Sequence, residues 1–387
     1  MRILHIVPTY FPAIRYGGPI LAIHELCKIQ VSLGHEVSVY TTNVDGDLNL
    51  DLPTGQSIDL DGVKVTYFPV HKYGRRIYFS SAMKIALEKK LLNVDFMHLH
   101  SVFLWPTNMA ARLAKKHGIP WCVAPRGALS LAMIRSKSYL IKRVALFLFD
   151  NWTLQNASFL HATSLMEKKE ISGLIPGLSK IEVIPNGVQI PLEHSNKLLL
   201  KPYVLYLGRI SWKKRIDYLI QAMQYIPDHD LVIAGNDEEN LLPKLQKLVL
   251  DLSLGNRVHF IGSVVGEKKD ALLQSAKILA LASLNENFGN VVLESLASSR
   301  PVALTKGVAL LEEVLLANAG IKLSDNPKEM GMQLNSYLNS QDNLNKMGRN
   351  GFNLVKNKFQ WASVAKLTIE AYVMNANRLS KQQKVNR

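Results

Sequence analysis

The chain has 387 residues, 48% of them hydrophobic, which is material for more than one core. Its formal net charge of +15 keeps nucleic acid, an anionic membrane and a phosphorylated substrate open as partners, while two cysteines, Cys27 and Cys122, exclude a disulfide framework and indicate a reducing, cytoplasmic setting. The opening run MRILHIVPTYFP is cut by Pro8 and Pro12, so it reads as a first strand and not as a secretory signal, and no stretch of about 18 apolar residues marks a spanning helix.

The first predicted strand is Ile3–Val7. Gly17-Gly18-Pro19 follows and leads into a helix predicted over Ile20–Leu33. Two glycines let backbone approach a ligand closely, and the free N–H groups of a helix start suit an anion such as a diphosphate. Taken alone, the same pair fits a plain turn. Strands are predicted next at Glu36–Thr42, Val65–Val70 and Phe96–His100. His100 closes the last of these at the carboxyl edge, where ligands of open α/β sheets collect. His98 is two residues deeper on the same face and reads as a satisfied core histidine.

A helix over Pro106–Lys116 and a strand over Trp121–Ala124 lead to Pro125-Arg126-Gly127. They fall in an acid-free interval running from Asp95 to Asp150. That interval ends in a basic, apolar helical stretch, Ile134–Phe149, carrying Arg135, Lys137, Lys142 and Arg143, a pattern suited to an anionic membrane surface. Strands at Phe159–Thr163 and Ile181–Ile184 complete the first half. Periodicity lapses from Pro185-Asn186-Gly187 to Pro202, which places a domain boundary near residue 190.

The alternation then restarts with strands at Tyr203–Leu207, Asp230–Ala234, Val258–Ile261, Ile278–Ala282 and Pro301–Leu304, separated by helices such as Arg215–Gln224 and Leu241–Leu252. Runs apolar on both faces and alternating with helices predict two doubly wound parallel sheets, an α/β class. Gly208-Arg209 ends the first of these strands and Lys214 follows, which puts a guanidinium fork and a point charge at one strand end, as diphosphate recognition requires. The run ENFGNVVLE places Glu286 in a loop and a helix start near Gly289, with Glu294 further along that helix. Two carboxylates around a glycine-opened helix suit a polyhydroxylated, anionic ligand.

Together the Gly17-Gly18 loop, the HLH strand end at His100, IPNGV from Ile184, GRISWKK from Gly208, ENFGNVVLE and the Phe359-x-Trp361 start of a last helix resemble the family 4, or group 1, glycosyltransferases. APRG from Ala124, with its basic helix, resembles members that build bacterial surface polysaccharides such as O-antigen or capsule. The resemblance implies the GT-B fold, two Rossmann-like domains facing across a cleft. Residues 1–190 would form the acceptor side, 191–360 the nucleotide-sugar side, and 361–387 a helix returning to the first domain plus a basic tail. It also implies retention of anomeric configuration and transfer without metal or cofactor. Arg209 and Lys214 would neutralise the donor diphosphate of a UDP- or GDP-sugar, helped by Gly17 and Gly18. Glu286 would hold the donor sugar and Glu294 the ribose. Phe288, Gly289 and Asn290 would offer backbone N–H groups, the stretch from Arg257 to Gly262 would flank the base, and His100 would sit against the donor sugar.

On the acceptor side, Arg126 would face a phosphate of a lipid-diphosphate-linked saccharide at the inner membrane face. The family usually has glycine after the lysine, and here Arg215 stands there.

Three Asp-x-Asp pairs, Asp45/Asp47, Asp59/Asp61 and Asp228/Asp230, raise a metal-dependent alternative, but acidic turns account for them better. A sugar-nucleotide epimerase on the same fold is the nearer rival, separated by whether product needs an acceptor. A basic nucleic-acid-binding protein is the other, but the chain lacks the motifs such proteins carry, so no nucleic-acid partner is expected.

Overall fold

The computed structural model describes residues 1–13, 17–130, 146–175, 177–178, 180–192 and 201–385. The chain forms two compact units, Met1–Gly187 with the final helix Trp361–Val385, and Val188–Gln360.

The strands of the first unit are β1 (Arg2–Ile6), β2 (Glu36–Thr42), β3 (Val44–Asp45), β4 (Leu48–Asn49), β5 (Ser57–Leu60), β6 (Val63–Phe68), β7 (Phe96–His100), β8 (Trp121–Ala124), β9 (Phe159–Ala162) and β10 (Ile181–Val183). Eight of them make one sheet in the order β10-β9-β8-β7-β1-β2-β6-β5. All neighbours are parallel except β5, which pairs antiparallel with β6. The central strands β7, β8 and β9 are buried along their whole length; β8 is wholly apolar, while β7 and β9 carry histidines among apolar residues. β5 escaped the sequence reading because it is a short, half-exposed edge strand, turned back through Asp61 and Gly62, both at positive φ.

One face of this sheet is layered. Ile3, Phe96, Cys122 and Phe159 form an apolar row, packed under Ala22 and Leu26 of the helix Gly18–Ser32 and under Tyr372 of the final helix. Tyr372 stacks on Phe96 with ring centroids 4.4 Å apart. Side chains two residues further along the strands share that face, so the next row is His5, His98 and His161. The final helix is seated at its start by Trp361, whose ring leaves no room for a side chain at Gly187.

The second unit has β11 (Tyr203–Leu207), β12 (Asp230–Ala234), β13 (Val258–Gly262), β14 (Ile278–Leu281), β15 (Val302–Leu304) and β16 (Gly320–Lys322), all parallel, in the order β13-β12-β11-β14-β15-β16. The helix expected over Arg215–Gln224 is instead a 3-10 turn at Trp212–Lys214, an α-helix at Ile216–Ala222 and a second 3-10 turn at Met223–Tyr225. The break falls at Arg215, whose left-handed backbone, φ 46° and ψ 48°, cannot continue a helix. Among the described residues no helix is long and apolar enough to cross a membrane.

Candidate active site

Each sheet reverses its winding once. In the first unit the chain leaves β1 toward β2 on one side and returns to β7 on the other; in the second, β11 is flanked by β12 and β14. At such a switch point the loops leaving the two strands part and leave a crevice at the carboxyl edge. Several residues singled out from sequence, Gly17, Gly18, His100, Arg209, Lys214 and Glu286, follow the strands at these two points.

In the first unit, β1 leads to Gly17, which caps the helix Gly18–Ser32 at φ 82°. That helix starts two residues earlier than its periodicity indicates, because Gly18 and Pro19 are already its first turn. His100 ends β7 and is buried, 1% exposed. Its Nε2 meets His5 Nδ1 at 3.0 Å, and its Nδ1 has no partner among the described residues. Arg126, two residues beyond β8, adopts φ 55° and donates from Nη1 to Asn186 Oδ1 at 2.7 Å. The next loop residues on the β7 side, Ser101 and Phe103, are also at positive φ. Such strain persists only where surrounding contacts impose it. Glu167 supplies one of them. Its buried carboxylate accepts from Gly127 N–H at 2.6 Å and from the N–H and hydroxyl of Thr163, both at 2.7 Å, tying the loop after β8 to the end of β9. Burial holds the His100 and His98 imidazoles well below the usual range, helped by the Arg126 charge at His100 and by the neighbouring histidines at His98; burial likewise pushes His5 to about 4 and His161 to about 3.

In the second unit, β11 leads through Gly208 to Arg209 and Lys214, and β14 leads to Glu286. Lys214 Nζ forms an ion pair with Glu286 Oε2, and both side chains are mostly shielded from solvent. Burial, with Lys213 and Arg209 nearby, pushes the Lys214 ammonium down to about 7. The loops are fastened to each other: Leu284 N–H donates to the Lys213 carbonyl at 2.8 Å, and Glu286 N–H to the Gly307 carbonyl at 2.8 Å. Gly289, at φ 83°, caps the helix Asn290–Ala297. Phe288 is turned into the core toward Phe359, which leaves its backbone to serve the loop. Arg209 is half-exposed and paired with Glu238 at 2.9 Å, and Glu294 is held by Lys269 at 3.0 Å.

Arg215 makes sense of its left-handed backbone. Its Nε donates to the Ala282 carbonyl at 2.9 Å, its Nη2 pairs with Asp325, and its guanidinium lies 4.8 Å from the Tyr218 ring. Those contacts hold a conformation that glycine would adopt freely.

Arg257 does not accompany Gly262. Gly262 ends β13 at the carboxyl edge, whereas Arg257 precedes β13 at the opposite edge and donates to the carbonyls of Ile226 and Met223 at 2.5 and 3.0 Å. Asp228 and Asp230 also lie at that opposite edge, where Asp230 holds His259 at 2.8 Å; Asp61 sits in the β5–β6 turn, paired with His24 and Lys28. Arg135, Lys137, Lys142 and Arg143 fall outside the described residues. Sequence reasoning missed His5, Gln30, His161, Glu167 and Tyr372. A polar residue set in an otherwise apolar strand was the available signal for the two histidines.

Two family models match the chain: the glycosyl transferase 4-like domain over residues 17–187 and the group 1 glycosyl transferases over residues 193–354. The chain belongs to the group 1 glycosyltransferases. The glycosyltransferase is 28% identical over 410 residues to an uncharacterized glycosyltransferase of Methanocaldococcus jannaschii, covering 96% of this chain and 98% of that one. It is 22% identical over 397 residues to the mannosylfructose-phosphate synthase of Agrobacterium fabrum, covering 90% and 84%. Its fold is that of Anabaena HepE in complex with UDP and glucose, with a TM-score of 0.76 at 18% identity and coverage of 97% and 100%. It is also that of WaaG, a glycosyltransferase involved in lipopolysaccharide biosynthesis, with a TM-score of 0.67 at 15% identity and coverage of 94% and 98%. The fold is therefore GT-B.

Proposed function

We propose that this glycosyltransferase moves a sugar from a nucleoside-diphosphate sugar to a saccharide acceptor, with retention of configuration and without a metal. The observation that carries this reading is the shielded Lys214–Glu286 pair at the β11/β14 switch point, beside the helix start at Gly289. Paired in this way, the two charges neutralise each other. A donor exchanges that pairing: its diphosphate takes Lys214 and the N–H groups at Gly289 and Asn290, and Arg209 turns from Glu238 to the same phosphates. Glu286 is then released to accept hydrogen bonds from donor sugar hydroxyls, and Glu294 serves the ribose. The cations stabilise the leaving nucleoside diphosphate as charge develops on it.

Binding of UDP by HepE supports a UDP-sugar donor. For the acceptor, the lipopolysaccharide role of WaaG and the basic interval around Arg126 support a lipid-linked saccharide at the cytoplasmic membrane face, in surface polysaccharide synthesis. The test is a thermal-shift panel of UDP-, GDP-, ADP- and CDP-sugars, since a ligand of the folded state raises its stability. Turnover of the stabilising donor with and without acceptor follows. No stabilisation by any of them overturns the donor reading, and product formed without acceptor would favour an epimerase.

A further inference from the structure

Four histidines, His5, His98, His100 and His161, lie together inside the first unit, each at most 2% exposed. They form one chain of hydrogen bonds, and the partners at its end fix every proton in it. His161 Nε2 faces the Ile184 carbonyl at 2.8 Å, which only accepts, so Nε2 carries the proton and Nδ1 is bare. His161 Nδ1 meets His98 Nε2 at 3.3 Å, so His98 donates there and its own Nδ1 is bare. That atom accepts the Tyr372 hydroxyl proton at 2.7 Å. With its proton so committed, the Tyr372 oxygen accepts from Gln30 Nε2 at 3.4 Å. This orients the Gln30 amide, whose Oε1 faces His5 Nε2 at 2.9 Å, so His5 donates from Nε2 and accepts at Nδ1. His5 Nδ1 in turn accepts from His100 Nε2 at 3.0 Å. The protons are assigned from these partners.

The assignment leaves one atom over: His100 Nδ1, buried, unprotonated and without a partner among the described residues. We propose that Tyr372, from the final helix, is a positioning residue which, through Gln30 and His5, fixes His100 as the tautomer protonated on Nε2 and so presents a bare Nδ1 to a hydroxyl of the sugar ligand. Neutral imidazoles, as burial and Arg126 enforce, are what such a relay needs. Without the Tyr372 hydroxyl the Gln30 amide is free to turn over. Its NH2 then faces His5, His5 carries its proton on Nδ1, and His100 must carry one on Nδ1 as well, which removes the acceptor. His98 and His161 stay fixed, because the Ile184 carbonyl anchors them independently of Gln30.

Ring nitrogens of His5, His98 and His100 lie within 4.8 Å of one another, a spacing that also suits a cation. The positive charge of Arg126 beside them, and the engagement of every other nitrogen in the relay, favour the relay.

The inference rests on His100 serving the donor site, but its test does not. Nitrogen-15 histidine spectra of the full chain, assigned by single His→Gln variants, report the tautomer of each ring. In the wild type all four rings are expected to be neutral and protonated on Nε2. A charged ring, or His100 protonated on Nδ1, overturns the relay, as does a shift of the His5, His98 and His100 signals on adding one equivalent of Zn2+. In Tyr372→Phe, folded by its thermal melt, His100 is expected to gain an Nδ1-protonated population while His98 and His161 do not change. An unchanged His100 removes Tyr372 from the relay. Should that variant fail to fold, the wild-type spectrum still decides the tautomer. A wild-type spectrum as expected, with no donor sugar bound by the protein, would retire the donor reading and leave the relay intact.

Discussion

Lys214 offers the sharpest quantitative handle on the site. Its side chain is 12% exposed, and burial with Lys213 and Arg209 nearby lowers its pKa to about 7. A donor diphosphate beside it favours the charged form and returns the ammonium toward its ordinary range. At pH 8 a group with a pKa of about 7 holds roughly a tenth of a proton, and one restored to near 10 holds nearly a whole one. Donor binding therefore takes up about 0.9 proton at pH 8. The sign follows: the free enzyme loses the proton first as pH rises, so affinity falls between about pH 7.5 and 9.5, by roughly tenfold, or 1.4 kcal/mol, per unit. Calorimetry of donor binding in two buffers of different ionisation enthalpy measures the uptake directly. In Lys214→Arg, whose charge does not titrate, the uptake and the slope should both vanish. Proton release on binding, or a wild-type affinity flat from pH 7 to 9.5, would refute the placement of Lys214 against the diphosphate.

Glu286→Ala should lower turnover by about a hundredfold, roughly 3 kcal/mol, with the melt little changed, since on the proposed reading the lost carboxylate holds the reacting sugar; near-wild-type turnover removes it from the site. EDTA should leave activity in place if, as proposed, Lys214, Arg209 and helix-start N–H groups neutralise the diphosphate; loss restored by manganese would revive an Asp-x-Asp reading. Arg215→Gly should change stability by no more than about 1 kcal/mol, relief of the left-handed backbone offsetting loss of the partly exposed Asp325 pair, whereas β-branched Arg215→Val should cost more than that; thermal melts of both variants decide it. Sedimentation with vesicles should increase with anionic lipid and fall with salt, about 1 kcal/mol per engaged cation; binding indifferent to both would favour a soluble acceptor.

The two doubly wound sheets were legible because their strands are buried on both faces, whereas GT-B was implied by the motif resemblance. Tyr203–Leu207 and Trp121–Ala124 are apolar at every position, and their limits read directly from the sequence match the structure. Strand ends at a switch point are where an α/β fold displays polar groups, so His100, Arg209 and Glu286 stood out for the same reason. β16 was missed because three residues, Gly320–Lys322, carry no period. The relay was hidden for a different reason. Its members sit at positions 5, 30, 98, 100, 161 and 372, and only the parallel register, His5 opposite His98, brings them into one row. A strand's period of two shows that His98 and His100 share a face, but not which helices cover that face. The final helix brings Tyr372 to that row by packing on Phe96 and Phe159. The same contacts that bury the helix therefore set a proton position on a distant ring. For this reason a core residue such as Tyr372 belongs to the functional description even though it touches no crevice.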